Sequence, residues 1–239
     1  MAGAVVQSRE SSTDSTPGST IALAFSGANT AANNLWVVGH VGNNGNLPTI
    51  ADSASNTYSA RLDTVSDATN NNCVTHWHCT SCAAATPTVT VTFVPGTQPF
   101  RCIFIAEISG CQNATNDGHN GQHQDDVGTG TDAVSSGTAA NAETAFVLGL
   151  SINDSGANPP AAGTGFTSFN TGWGFGGSAL ARMEYKASLA PATTAATFTA
   201  GASTDDTNTV MIKMKETAAA ALPRMSPPIM QAVNRAVTF

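Results

Sequence analysis

Along the chain, apolar and polar positions alternate with a period of two far more often than they recur with a helical period. Ser19-Thr-Ile-Ala-Leu-Ala-Phe25 and Thr88-Val-Thr-Val-Thr-Phe93 place an apolar side chain at every second position, as a strand does when one face is buried and the other is not. Leu35-Trp-Val-Val-Gly39, Ile103-Phe-Ile-Ala-Glu-Ile108 and Phe146-Val-Leu-Gly-Leu-Ser-Ile152 are nearly continuous apolar runs, which suit central strands covered on both faces. The pattern predicts further strands at 4–8, 58–65, 74–79, 179–187, 195–200 and 210–215. Clusters such as Gly42-Asn-Asn-Gly-Asn46 and Asn158-Pro-Pro160 separate the runs with turns. No helical pattern of useful length precedes the C-terminal tail. The fold class this predicts is all-β and antiparallel.

Four segments recur in one order. Leu35-Trp-Val-Val-Gly-His40 has a counterpart in Phe146-Val-Leu-Gly-Leu-Ser151, and Val74-Thr-His-Trp-His-Cys79 in Ala181-Arg-Met-Glu-Tyr-Lys186. Thr90-Val-Thr-Phe93 then answers to Ala195-Ala-Thr-Phe198, and Ile103-Phe-Ile-Ala-Glu-Ile108 to Val210-Met-Ile-Lys-Met-Lys215, each displaced by roughly 105–111 residues. Two halves are too few for a solenoid. They predict one jelly-roll-like β-sandwich over residues 1–216, with pseudo-repeats at about 19–111 and 142–216 that both supply strands to two packed sheets. Two small tandem sandwiches are the alternative. Residues 112–141, rich in Gly and Asn, are expected to be the crossover loop, and residues 217–239 an extended C-terminal arm.

Composition narrows the function. Only 10% of the 239 residues are charged, against roughly 25% in ordinary soluble domains, and Gly, Ala, Ser, Thr and Asn take their place. A chain of this length can bury a core without metal or disulfide staples. The formal charge is −7, and the nine Lys and Arg are scattered. Nucleic acid is therefore not an expected partner, because phosphate binding needs a basic stripe that releases counterions. No run of about 18 apolar residues exists, so no membrane-spanning helix is expected. The segment Met1-Ala-Gly-Ala-Val-Val-Gln-Ser-Arg-Glu10 lacks the basic and apolar regions of a signal peptide, which predicts folding in a cytoplasm.

Cys73-Val-Thr-His76-Trp-His78-Cys79-Thr-Ser-Cys82 is the densest group of soft ligands. Zinc takes four Cys or His donors in a tetrahedron. On a strand, however, His76 and His78 point to one face and Cys73 and Cys79 to the other, so the donors do not converge without a bulge. Free buried thiols, a disulfide between Cys79 and Cys82 or with Cys102 or Cys111, and metal remain alternatives, with plain packing preferred. The segment 116–126, with His119, His123, Asp125 and Asp126, offers oxygen and imidazole donors but lacks EF-hand spacing and is read as a solvated loop. Catalytic fingerprints such as G-x-S-x-G, the P-loop and the dinucleotide motif are absent, and no cofactor is indicated. Glu107, Glu143 and Glu184 are the acids a glycosidase pair would draw on, but nothing pairs them, and Glu107 and Glu184 are expected to face solvent or a sheet partner. Trp36 and Trp77 lie inside strand patterns and read as core. Trp173, in Thr171-Gly-Trp-Gly-Phe-Gly-Gly177, is the candidate for exposed recognition.

The tail carries Leu222, Met225, Ile229, Met230, Val233 and Phe239 after an Ala-rich linker. An apolar tail must dock somewhere, and a neighbouring subunit is the preferred place over the chain's own domain. The succession NNLWVVGHV, TIADSASNTYSARLD, PTVTVTF and FIAEISG, then AFVLGLS, GFTSF and AATFTA, resembles a β-sandwich family of uncharacterised bacterial and tailed-phage proteins, virion-associated or surface-borne. The resemblance covers roughly residues 4–216. It rests on strand patterns, carries no active-site residues across, and implies a jelly-roll-like shell with a role on a surface. The resulting expectation is a structural virion protein of a tailed phage, a capsid decoration or cement subunit and not an enzyme. Its partners would be further copies of itself and the major capsid protein or another virion subunit. A tail or fibre component, and a secreted or cell-surface module that binds glycan or forms filaments, are the alternatives.

Overall fold

A computed structural model describes residues 1–13, 16–41, 46–59, 62–67, 72–94, 97–98, 100–113, 116–127, 133–153, 159–168, 173–174, 180–199 and 205–218. Among them the chain forms strands and no helix. The strands of the N-terminal half are β1 (Ala4–Thr13), β2 (Thr20–Ala24), β3 (Asn34–Val41), β4 (Asn46–Asp52), β5 (Thr64–Asp67), β6 (Asn72–Cys79), β7 (Thr88–Val94) and β8 (Arg101–Ser109). Then follow β9 (Gly118–Val127), β10 (Ala133–Ser135), β11 (Ala139–Asn141), β12 (Ala145–Asn153), β13 (Ala161–Ala162) and β14 (Thr167–Ser168). The last are β15 (Trp173–Gly174), β16 (Leu180–Leu189), β17 (Ala192–Thr194), β18 (Thr197–Thr199) and β19 (Asp205–Lys215).

Every pairing is antiparallel. One large sheet runs β1-β8-β3-β6-β5, and a second runs β14-β16-β12-β19-β9 with β15 also on β16. Two three-stranded sheets, β2-β7-β4 and β10-β18-β13, and the pair β11-β17 complete the fold.

The predicted two packed sheets are extended to a stack of four. The two large sheets face each other across a core of Trp36, Val38, Phe104, Phe146, Leu148 and Ile212, among others. The opposite side of the first sheet, with Leu35, Val37, Trp77 and Ile105, packs on Ile21, Leu23, Val89 and Val91 of the first small sheet. Val147 and Met211 of the second large sheet pack on Val134 and Phe198 of the other small sheet. This is why β3, β8 and β12 read as continuous apolar runs. Each is buried along nearly its whole length, because each large sheet has a cover on both sides. At about 1.5–3 kcal/mol per fully buried large apolar side chain, the three interfaces dominate the stabilisation.

The segment 112–141 is not a crossover loop: it contains β9, β10 and β11. Its Gly, Asn, Gln and His residues hid β9 from hydropathy, since that strand is held by its backbone ladder with β19 and by polar side-chain bonds. The strand expected at 58–65 narrows to β5, although Ser59 and Leu62 still donate backbone bonds to His78 and His76. In β1 the register shifts between Val5 and Gln7. The intervening Val6 is turned outwards and is 49% exposed, as a bulge residue is.

Candidate functional site

The densest polar cluster lies where the two halves meet. Asp63, just before β5, accepts hydrogen bonds at one oxygen, Oδ2, from both His76 Nε2 at 3.0 Å and His119 Nδ1 at 2.7 Å. His76 belongs to β6 in the first large sheet and His119 to β9 at the edge of the second, so one carboxylate ties the two sheets together. His76 is fully buried, and its Nδ1 accepts a hydrogen bond from Trp36 Nε1 at 3.1 Å. An indole only donates. His76 therefore holds its proton on Nε2 and gives it to Asp63. Burial lowers the His76 pKa, only partly offset by Asp63. The Asp63 carboxyl sits below its ordinary range, because the bonds to the two imidazoles outweigh the desolvation that would raise it.

In this arrangement both ring nitrogens of His76 are engaged within the fold. A histidine that ligates a metal through one nitrogen donates its other N–H to an acceptor, whereas His76 faces a donor on that side. His78 Nε2 lies 2.8 Å from Asn34 Oδ1, to which it donates. Burial brings the His78 pKa down to about 4 and that of His40 down to about 3. Cys73 and Cys79 lie on the opposite face, in the core against the first small sheet. All five cysteines, Cys73, Cys79, Cys82, Cys102 and Cys111, are free and buried. Burial pushes the thiol of Cys82 up to about 11 and that of Cys111 to about 12, which makes them poor nucleophiles. Among the described residues no group of three His, Cys, Asp or Glu is disposed to hold a metal ion. In 116–126, His119 turns to Asp63 and His123 to Asn208 Oδ1 at 3.0 Å.

Of the two expected surroundings, solvent or a sheet partner, Glu107 takes the second, opposite Gln7 of β1. Glu107 and Glu184 are both fully buried and do not face solvent. Glu107 accepts from Gln7 Nε2 (2.7 Å), the Thr30 amide (2.8 Å) and Asn33 Nδ2 (2.6 Å), so it fastens β1 and the loop before β3 to β8. Glu184 accepts from the amides of Gly163 (2.8 Å) and Thr197 (3.2 Å), which joins β16 to the small sheet that covers it. Desolvation raises its pKa to about 8 despite those two bonds. Glu216 holds the amide (2.7 Å) and hydroxyl (3.1 Å) of Ser188, whose φ is 54°, and so fixes the bulge near the end of β16 where its register with β12 shifts. Lys213, on β19, is fully buried. Its Nζ donates to Ala139 O (2.6 Å), Thr194 Oγ1 (2.9 Å), Asn141 Oδ1 (3.0 Å) and Ala192 O (3.3 Å), which clamps β11 and β17 to β19. Sequence reasoning passed over this residue. Glu107 interrupts an apolar run that reads as covered on both faces, and Lys213 stands between Ile212 and Met214 in a predicted strand.

Trp36 and Trp77 are core residues. Trp173 lies on β15, its backbone paired with Ala181 on the outer side of β16. Leu222, Met225, Ile229, Met230, Val233 and Phe239 lie outside the described residues. Met1, Ala2, Thr144, Ser188, Glu216 and Thr217 line a cavity of about 250 Å³ where β19 ends. The Met1 amine donates to Thr217 O. No protein family, no curated protein and no solved structure matches the chain.

Proposed function

We propose that the chain is a structural virion protein of a tailed phage, a capsid decoration or cement subunit built as two copies of one sandwich unit and docked through its C-terminal arm. The observation that carries the reading is where the buried and half-buried charged groups are spent. Asp63, Glu107, Glu184, Glu216 and Lys213 each bond to segments distant in sequence, and Asp63 joins the two halves. Groups used in this way raise rigidity, which a shell component under mechanical load needs. The strand orders support duplication. In β1-β8-β3-β6-β5 and β9-β19-β12-β16-β14, and again in β2-β7-β4 and β10-β18-β13, successive strands occupy matching places. With the match between β3 and β12 shifted by one residue from Leu35/Phe146, so that Val37 answers to Val147 on the face under the small sheet, Gly39 and Gly149 stand at equivalent points: a Cβ on the first would lie 3.2 Å from Val91 and one on the second 2.6 Å from Ala196.

The apolar arm residues Leu222, Met225, Ile229, Met230, Val233 and Phe239 then supply the anchor on a neighbouring copy or on the major capsid protein. Among the described residues the exposed large hydrophobics are Met1 and Val6, so an apolar contact has to come from elsewhere in the chain. Removing residues 219–239, which keeps Thr217 and its backbone bonds to Gly110 and Met1, should abolish co-sedimentation of the protein with particles while leaving its thermal unfolding intact. Unchanged incorporation would overturn the arm. A glycan-binding surface module is the second reading, favoured by the edge position of Trp173. Glycan-array binding lost in Trp173→Ala would favour it over the virion reading.

A further inference from the structure

The position of Lys213 beside Asn141 has a chemical consequence that its role as a clamp does not exhaust. Both side chains are buried, Lys213 fully and Asn141 to within 4%. Nζ lies 3.0 Å from Asn141 Oδ1, and the carboxamide carbon is one C=O bond of about 1.23 Å further on. A modest rotation of either side chain brings Nζ to the roughly 3–3.5 Å of a near-attack geometry. Asn141 is held for such an approach: its Nδ2 donates to Glu143 O at 2.7 Å and Ala190 O at 3.1 Å. We propose that Lys213 and Asn141 form an intramolecular isopeptide bond that covalently ties β11 to β19.

The step balances without an external reagent. The lone pair of the neutral amine adds to Cγ of Asn141, the Cγ–Nδ2 bond breaks, and the proton lost by Nζ leaves on Nδ2 as ammonia. Burial favours the neutral amine that the attack requires, with Asp117 opposing. Asp117 also accepts the Glu143 amide through Oδ2 at 3.2 Å, so a carboxylate is anchored at the turn that follows Asn141. The product replaces a buried charge, which is costly, with a neutral amide. Its single N–H has Ala139 O and Thr194 Oγ1 ready as acceptors, the present partners of Nζ at 2.6 and 2.9 Å. The closed ring spans 72 residues, which covers the strands from β12 to β19.

The test is the intact mass of the purified full chain under denaturing conditions, followed by peptide mapping. The bond predicts a mass about 17 Da below that of the sequence, one ammonia, and a branched peptide that contains both Lys213 and Asn141. Lys213→Arg and Asn141→Ala should each restore the full mass. A wild-type chain at its sequence mass would overturn the proposal, and so would an ammonia loss that maps to another asparagine. Because the wild-type measurement is decisive alone, it does not depend on the variants folding.

Discussion

Glu184 and Lys213 show what single buried titratable groups do in this fold. Glu184 has a native pKa near 8 and an ordinary one near 4.5, so the folded chain keeps a proton that the unfolded chain gives up across that window. Its contribution is present below about pH 4.5 and is lost as pH rises towards 8. Glu184→Gln keeps one of the two amide bonds, so it should lower stability overall while flattening the decline above about pH 6.5. Urea unfolding from pH 6 to 9 reads the slope, and an unchanged alkaline limb would show that Glu184 ionises normally. Lys213→Met leaves four oxygen acceptors without their donor. By analogy with breaking a buried charged contact it should cost about 3 kcal/mol or more, seen as a lower urea midpoint at constant slope. Lys213 stands between Ile212 and Met214 and so hints at its burial, whereas Glu184, between Arg182 and Lys186, gives no such sign. Their partners, the amides of Gly163 and Thr197 for Glu184 and the backbone oxygens of Ala139 and Ala192 for Lys213, could not be read from sequence, because only the sheet stack brings them together.

At the level of elements, the strands with strong apolar patterns were legible and those held by other means were not. β3, β8 and β12 carry enough apolar residues on both faces to declare themselves. β9 forms a strand because β19 offers a ladder and Asp63 offers a carboxylate to His119, and neither is visible in Gly118-His-Asn-Gly-Gln-His123. Removing that carboxylate should loosen the edge. Asp63→Ala is expected to speed backbone hydrogen exchange across β9 by about tenfold, the worth of one or two lost hydrogen bonds, with little change in β2 or β7. Equal acceleration throughout would mean that Asp63 serves global stability and not the junction. Gly149→Ala tests the layer above. Its Cβ would meet that of Ala196 at 2.6 Å, so β12 and the small sheet must separate, at about 1–3 kcal/mol. A neutral substitution would show that the small sheet floats.

For the molecule as a whole, the buried histidines set the acid limit. His40, His76 and His78 all have lowered pKa values through burial. The unfolded chain therefore takes up protons below about pH 6.5 that the folded chain refuses, and stability falls as pH falls, by about 1.4 kcal/mol per pH unit per histidine. Together with Glu184 this places the maximum near pH 6.5, and a urea midpoint that keeps rising towards pH 5 would contradict the burial of these rings. The all-β class was legible throughout, since alternation and turn residues agree along the chain. The number of layers was not, because a run buried on both faces does not say what covers it. The central claim concerns assembly. It is tested most directly by quantitative mass spectrometry of particles banded on a density gradient from cells that carry this gene. The account predicts this chain in the band at a fixed copy number per particle. Finding it only in the soluble fraction, with intact particles present, would contradict the account.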